Sequence, residues 1–256
     1  TEGFYQYALS TSAGSLSPRT KWSALANYEF PLPPLDEQRR IAERLWAAED
    51  AIEAWFLVKA SIEALRDVVS FNFFGEQDNS PQEKFVDVCK ELKVGIVVKP
   101  ASYYMETGIP ALRSLNVFPG RFELSDLVYL SEEGNKAHQK SQLKEGDVVV
   151  VRTGRPGDTA VIKQNIAGFN CIDLIIARVN DRIQPDYLAH FLNSAAGRKE
   201  LFRRTAGTAQ KHLNVSQIAK LLVPIKPTSE QDKIIQRFTE TFCARIDETT
   251  SPKSLE

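Results

Sequence analysis

Between Asp36 and Ser70 the chain contains neither glycine nor proline, and its apolar residues recur at helical spacing. Ile41, Leu45, Ala48, Ile52, Trp55, Val58, Ile62, Leu65 and Val69 follow one another in steps of four and three, with one slip between Trp55 and Val58. That alternation marks the seam of a coiled-coil-like helix, a rod of about 50 Å at ~1.5 Å per residue. A seam of this length has to pack on something. The comparable pattern elsewhere is Ile235, Phe238, Phe242 and Ile246, on a much shorter helix that stops before Pro252. Part of the long seam is therefore expected to meet another surface: a second copy, as a homodimer, or the globular part of the chain.

Between the two helical patterns the period shortens. Val/Ile-rich runs bounded by Gly, Pro or Asn predict strands at 94–98, 109–113, 127–130, 147–151, 160–162 and 171–179. Helical stretches follow at 185–196, 197–206 and 215–221. Many short strands followed by helices predict an α+β fold rather than a βαβ array, with a strand-rich globule joined to long coiled-coil-like helices.

The globule ends on a sequence that occurs twice. Pro31-Leu32-Pro33-Pro34-Leu35-Asp36-Glu37-Gln38-Arg39-Arg40-Ile41 is echoed by Pro224-Ile225-Lys226-Pro227-Thr228-Ser229-Glu230-Gln231-Asp232-Lys233-Ile234, 193 residues later. The same offset pairs Gly14 with Gly207, Ser23 with Ser216, Ala26 with Ala219 and Arg44 with Arg237. Proline cannot continue a ladder or sit deep in a helix, so each copy reads as an extended, stiffened segment leading into a helix. Asp36 and Ser229 are the expected N-caps, with the Glu-Gln pair in the first turn.

Composition bounds the chemistry. Across 256 residues, 43% hydrophobic and 25% charged, there is enough apolar sequence for one or two packed cores and no bias towards disorder. Cys89, Cys171 and Cys243 lie far apart without CxxC spacing, which argues against a zinc site or a disulfide scaffold and points to a reducing cytoplasm. No apolar run approaches the roughly 20 residues of a membrane span. The net charge of −1 conceals segregation. Eight acidic residues face five basic ones between Asp36 and Asp67, whereas six basic residues face Glu200 alone between Arg198 and Lys220. A polyanion is expected at the second stretch; a solvated helix face is the plainer reading of Arg198 to Arg204.

Two short segments carry the best candidates for nucleic-acid contact. Arg152-Thr153-Gly154-Arg155-Pro156-Gly157-Asp158 follows a buried strand and places two guanidiniums in a Gly/Pro turn, suited to phosphates or guanine edges. Alternatively, Asp158 pairs with an arginine and braces the turn. Gly207-Thr208-Ala209-Gln210-Lys211-His212 offers an amide for adenine and a hydroxyl and ammonium for phosphate. Lys99, Tyr103, Tyr104, Arg113, Ser114 and Asn116 are further candidates, the tyrosines being equally suited to packing. Asp147 and Asp173 fit a turn and a strand end.

Taken in order, Gly108-Ile109-Pro110 with Arg113 and Asn116, Leu143-x-x-Gly146-Asp147-Val148, Arg152-Thr153-Gly154, Pro185-x-Tyr187-Leu188, Gly207-Thr208-x-Gln210-Lys211-x-Leu213-Asn214 and the repeated Glu-Gln element resemble the DNA specificity subunit of type I restriction-modification systems. The resemblance covers nearly the whole chain. It implies recognition domains alternating with helices that act as spacer and docking surface for methyltransferase (modification) subunits and, through them, restriction subunits. It also implies double-stranded DNA as ligand, with the chain reading one half of a split target. The expected division is 1–30 as the tail of a preceding recognition domain, 31–72 as the spacer helix, 73–223 as the target recognition domain, 224–250 as a shortened second helix and 251–256 as a tail or cloning remnant. Lacking an initiator Met, the chain is expected to begin partway through a larger protein, although a natural half-subunit fits the same layout.

An enzyme would need parts that the sequence lacks. There is no Gly-rich cofactor loop after a strand with an Asn/Asp-Pro-Pro-aromatic motif for adenine methylation, and no Gly-x-x-x-x-Gly-Lys-Ser/Thr for nucleotide hydrolysis. His138, His190 and His212 are not at metal-ligand spacing. No cofactor is expected. A protein-interaction scaffold, or a DNA-binding module outside restriction-modification, is the competing class; the scaffold explains the long helix but not the basic and polar loops.

Overall fold

The computed structural model describes residues 2–14, 19–97, 100–203 and 212–242. The chain divides into two compact units, Thr1–Ala60 and Ser61–Glu256. In the first unit, helices α1 (Glu2–Ser10) and α2 (Trp22–Leu25) precede α3 (Leu35–Phe74), which continues into the second. Tyr7 donates its hydroxyl to the Ala24 carbonyl at 2.9 Å, and its ring lies 5.0 Å from that of Tyr28.

In the second unit four antiparallel strands run in the order Cys89–Val94, Leu174–Val179, Val148–Val151, Thr159–Val161. All four valines of the run Val148–Val151 are completely buried, which an antiparallel strand allows only where both of its faces are covered. Alternation assigns the faces. Val148, Val150, Ile175 and Ala177 point into a core shared with helices α5 (Pro185–Asn193), α6 (Ala195–Phe202), α7 (Val215–Ile218) and α8 (Thr228–Phe242) and the end of α3. Val149, Val151, Leu174 and Ile176 point into a second core with Leu112, Val117 and Leu143. At about 2 kcal/mol per fully buried aliphatic side chain, this two-sided strand pair holds the unit together.

A second sheet, ordered Asn170–Cys171, Ile109–Leu112, Val128–Leu130, Tyr104–Met105, lies beside it, and the short helix α4 (Glu132–Ala137) follows its strand Val128–Leu130. A hairpin pairs Val117–Phe118 with Arg121–Phe122, and Gln82–Lys84 pairs with Leu222–Pro224 to join the start of the globule to its end.

The helices depart from the expected caps. Helix α3 begins at Leu35 and α8 at Thr228, so Asp36 and Ser229 lie inside the first turn, and the carbonyls of Pro34 and Pro227 accept the first helical bonds from Gln38 and Gln231. Strand 94–98 is also displaced: the ladder covers Cys89–Val94, ahead of a single bridge at Ile96. The run 171–179 is two strands, interrupted at Ile172 and Asp173. Asp173 has φ 52°, the left-handed conformation that a ladder does not accommodate. The boundary expected between the helical stretches 185–196 and 197–206 falls earlier, at Ser194, whose hydroxyl accepts from the Gly197 amide at 3.0 Å, as an N-cap. A Cβ on Gly197 would lie 2.0 Å from the Phe191 carbonyl, so the corner between α5 and α6 admits only glycine.

The sequence repeat is a structural repeat. Helices α1, α2 and α3 begin at Glu2, Trp22 and Leu35, and α6, α7 and α8 begin 193 residues later, at Ala195, Val215 and Thr228. Gln38 donates to the Pro33 carbonyl at 2.7 Å, and Gln231 makes the corresponding bond to Lys226 at 2.8 Å. The copies differ in burial. Val223, Ile234 and Phe238 are buried in the core, while their counterparts Phe30, Ile41 and Leu45 are exposed.

Candidate nucleic-acid interface

The strand Val148–Val151 delivers the chain into the turn at Arg152–Asp158, where Gly154 (φ 81°) and Gly157 (φ 91°) supply the left-handed positions. Asp158 anchors the turn, taking Arg155 Nε at 3.0 Å and Arg198 Nη2 at 2.6 Å. Arg198 also donates to the Pro156 carbonyl at 3.0 Å. The bracing alternative for Asp158 therefore holds, and Arg198 is a buttress of the turn rather than a purely solvated residue. Arg155 nevertheless keeps 45% of its side chain exposed. Its guanidinium sits 3.9 Å from the Phe118 ring centroid, a cation–π contact, and Nη2 donates to the Val117 carbonyl at 3.0 Å.

Beside this turn lies the segment after strand Ile109–Leu112. Arg113 pairs with Asp126 at 3.2 Å, and its Nε is buried without a hydrogen-bond partner. Together Arg113, Ser114, Leu115, Thr153, Gly154, Arg155, Ile172 and Asp173 line a cleft of about 350 Å³. Four sequence-predicted residues, Arg113, Ser114, Thr153 and Arg155, thus come from segments about 40 residues apart to one cleft that Leu115 and Ile172 also line.

Other candidates sit differently. Asn116 is completely buried: its Oδ1 accepts from the Arg113 amide at 2.8 Å, and Nδ2 donates to the Glu123 and Asp126 carbonyls at 3.0 and 2.9 Å. It is a brace for the cleft wall and offers no surface to a ligand. Arg152 is also withdrawn, with 11% of its side chain exposed. Nη1 pairs with Asp173 at 2.6 Å, Nε donates to the Leu213 carbonyl at 3.1 Å, and Nη2 meets His212 Nε2 at 2.8 Å. A guanidinium has no acceptor, so His212 must accept through Nε2 and carry its proton on Nδ1. Tyr103 packs edge-on against His138, 5.2 Å between centroids, away from the cleft; Tyr104 is exposed on the edge strand. Lys99, Thr208, Gln210 and Lys211 lie outside the described residues.

Asp147 serves its turn, as expected, accepting from the Lys144 amide and from Nε and Nη2 of Arg178, each at 2.8 Å. The sequence reading did not single out Leu115, Ile172 or Phe118 for the cleft and assigned Asp173 only a strand end. A signal for Asp173 was present, a lone acid inside the apolar run Cys171–Val179.

Burial pushes the Cys89 thiol up to about 12 and Cys171 higher still, so neither is a thiolate at neutral pH. Among the described residues no group of three His, Cys, Asp or Glu could hold a metal ion, and no helix is long and apolar enough to cross a membrane.

Residues 102–256 match the family model described as "Type I restriction modification DNA specificity domain". The chain belongs to this family. Among relatives of the specificity chain are the EcoBI specificity subunit of Escherichia coli, 24% identical over 270 residues, and the EcoKI specificity subunit of E. coli strain K12, 26% identical over 260 residues. Each alignment covers 91% of this chain and 54% of the relative, so the chain spans about half the length of the curated relatives it matches. The crystal structure of a type I S subunit from M. genitalium superposes with a TM-score of 0.56 at 16% identity, covering 96% of this chain and 66% of that one. That likeness supports the α+β fold with its long helix.

Proposed function

We propose that this specificity-family chain is a non-catalytic DNA-recognition module of a type I restriction-modification complex, working in the cytoplasm. In this reading residues 73–223 form the target recognition domain and read one half of a split site in double-stranded DNA. The helices at 31–72 and 224–250 set spacing and recruit methyltransferase subunits and, through them, restriction subunits. The tail 1–30 repeats the end of a recognition domain. A second copy docking along the exposed part of α3 gives a homodimer. The observation that carries the DNA reading is the convergence of Arg113, Ser114, Thr153 and Arg155 on one cleft. The arginines suit phosphates and guanine edges, and the apolar side chains of Leu115 and Ile172 suit base faces and thymine methyl groups.

The test is duplex binding by fluorescence anisotropy across a salt series, with methyltransferase subunits supplied. Affinity is expected to fall steeply with salt, because phosphate neutralisation releases counterions. Arg155→Ala and Arg113→Ala are each expected to weaken target binding by about tenfold. Binding that shows no preference for any sequence, even in the assembled complex, would sink the reading.

A further inference from the structure

We infer that Asp173 is the positioning residue of the recognition cleft, holding the segments that build it while leaving contact with DNA to its neighbours. The inference rests on the DNA reading of the cleft.

Asp173 occupies the point where one sheet hands over to the other. Its amide donates to the Ile96 carbonyl at 2.9 Å, and the preceding amide, of Ile172, donates to Leu112 at 2.8 Å. Its backbone is thus tied to both neighbours, although φ is 52° and it is the only non-glycine residue with positive φ among the described residues. Aspartate is among the few side chains that tolerate this conformation.

From that fixed point the carboxylate reaches two ways. Oδ1 takes Arg152 Nη1 at 2.6 Å and Oδ2 takes the Thr153 hydroxyl at 2.9 Å. Arg152 then holds the Leu213 carbonyl and His212 Nε2 with its remaining nitrogens. One carboxylate therefore ties the Ile172–Asp173 segment, the turn that carries Arg155 and the segment at His212–Leu213. Electrostatics alone would not favour an acid here. A carboxylate on a surface that meets phosphates repels them, and Arg152 is spent offsetting it. What the acid adds is placement, on which reading a base edge depends far more than general attraction to a polyanion does.

The test is selection of the whole chain, wild type and two variants, each with methyltransferase subunits supplied, against a random duplex library, followed by sequencing. Asp173→Gly removes the carboxylate while leaving the left-handed backbone without cost. Asp173→Asn keeps an oxygen acceptor and removes the charge. The wild type is expected to enrich a motif. The glycine variant, with the phosphate-repelling carboxylate gone and Arg152 released from it, should bind non-specific duplex at least as tightly as wild type but discriminate its motif at least ~10-fold less. The asparagine variant should retain most of that discrimination. Full discrimination by Asp173→Gly, or equal loss in both variants, would overturn positioning in favour of no role or of charge alone. If even the wild type enriches no motif, the DNA reading itself has failed. The coupling is then decided by nitrogen NMR of His212: a weakened Nε2-acceptor signature in Asp173→Gly upholds it, and an unchanged spectrum overturns it.

Discussion

A buried amide and a half-buried imidazole illustrate what single residues do here. Asn116, a candidate DNA contact from sequence, spends its whole side chain on the backbone of the cleft wall. Asn116→Ala would leave those groups without partners, and is expected to cost about 3 kcal/mol in urea unfolding, as a loss of stability rather than a change in base choice. His190 is stacked on Phe238, 4.0 Å between centroids, and burial lowers its pKa from the ordinary 6.5 to about 4. The folded state thus resists protonation while the unfolded chain accepts it. Stability is expected to be full above pH 6.5 and to fall between pH 6.5 and about 4, by about 3 kcal/mol at the lower end. Urea midpoints at pH 7 and 4.5 check this, and His190→Phe, which keeps a flat ring on Phe238, should lose that part of the pH dependence.

At the scale of elements, the repeated Pro-x-x-Pro and Glu-Gln segment is a helix start with a glutamine bolt. Gln231 is completely buried, donating to the Lys226 and Arg182 carbonyls at 2.8 and 2.9 Å and accepting from the Gln184 amide at 2.8 Å. It ties α8 to the segment leading into α5. Gln38, only half-buried, shows the Pro33 bond alone of these contacts. The same substitution should therefore have unequal effects: Gln231→Ala about 3 kcal/mol, Gln38→Ala under about 1 kcal/mol, both read from chemical unfolding. The repeat and its helices were legible because side-chain spacing records local geometry. The caps were placed two residues too late because Asp36 and Ser229 favour both the cap and the first turn, and the proline carbonyl decides between them.

For the molecule as a whole, the unusual surface lies on the long helix. Ile41, Leu45, Ile52, Trp55, Val58 and Ile62 are exposed along α3, whereas Val69 and Phe74 near its end are buried against α5 and α8. In the proposed function this apolar stripe is the docking surface, in keeping with the ordinary rule for exposed patches. Light scattering at micromolar concentration is expected to report a dimer, and Ile52→Glu with Trp55→Glu should return it to monomer by placing charges on the seam. A wild-type monomer throughout that range would remove the homodimer and leave the stripe to other partners.

By itself the sequence determined the period and extent of the long helix, the repeat at 193 residues, the strand-then-helix order and the family. These are encoded in spacing between near neighbours or in motif order. Tertiary structure decided which polar residues remain available. Arg152 is committed to Asp173, 21 residues away, and to His212, 60 away; Arg198 is committed to Asp158, 40 away. Arginine in a turn reads the same whether it faces solvent or a distant acid, because pairing is set by which loops the sheets bring together. The break at Asp173 was hidden for the same reason: an apolar run specifies burial, while the change of sheet in the middle of it depends on the bridge at Ile96 and the strand ending at Leu112.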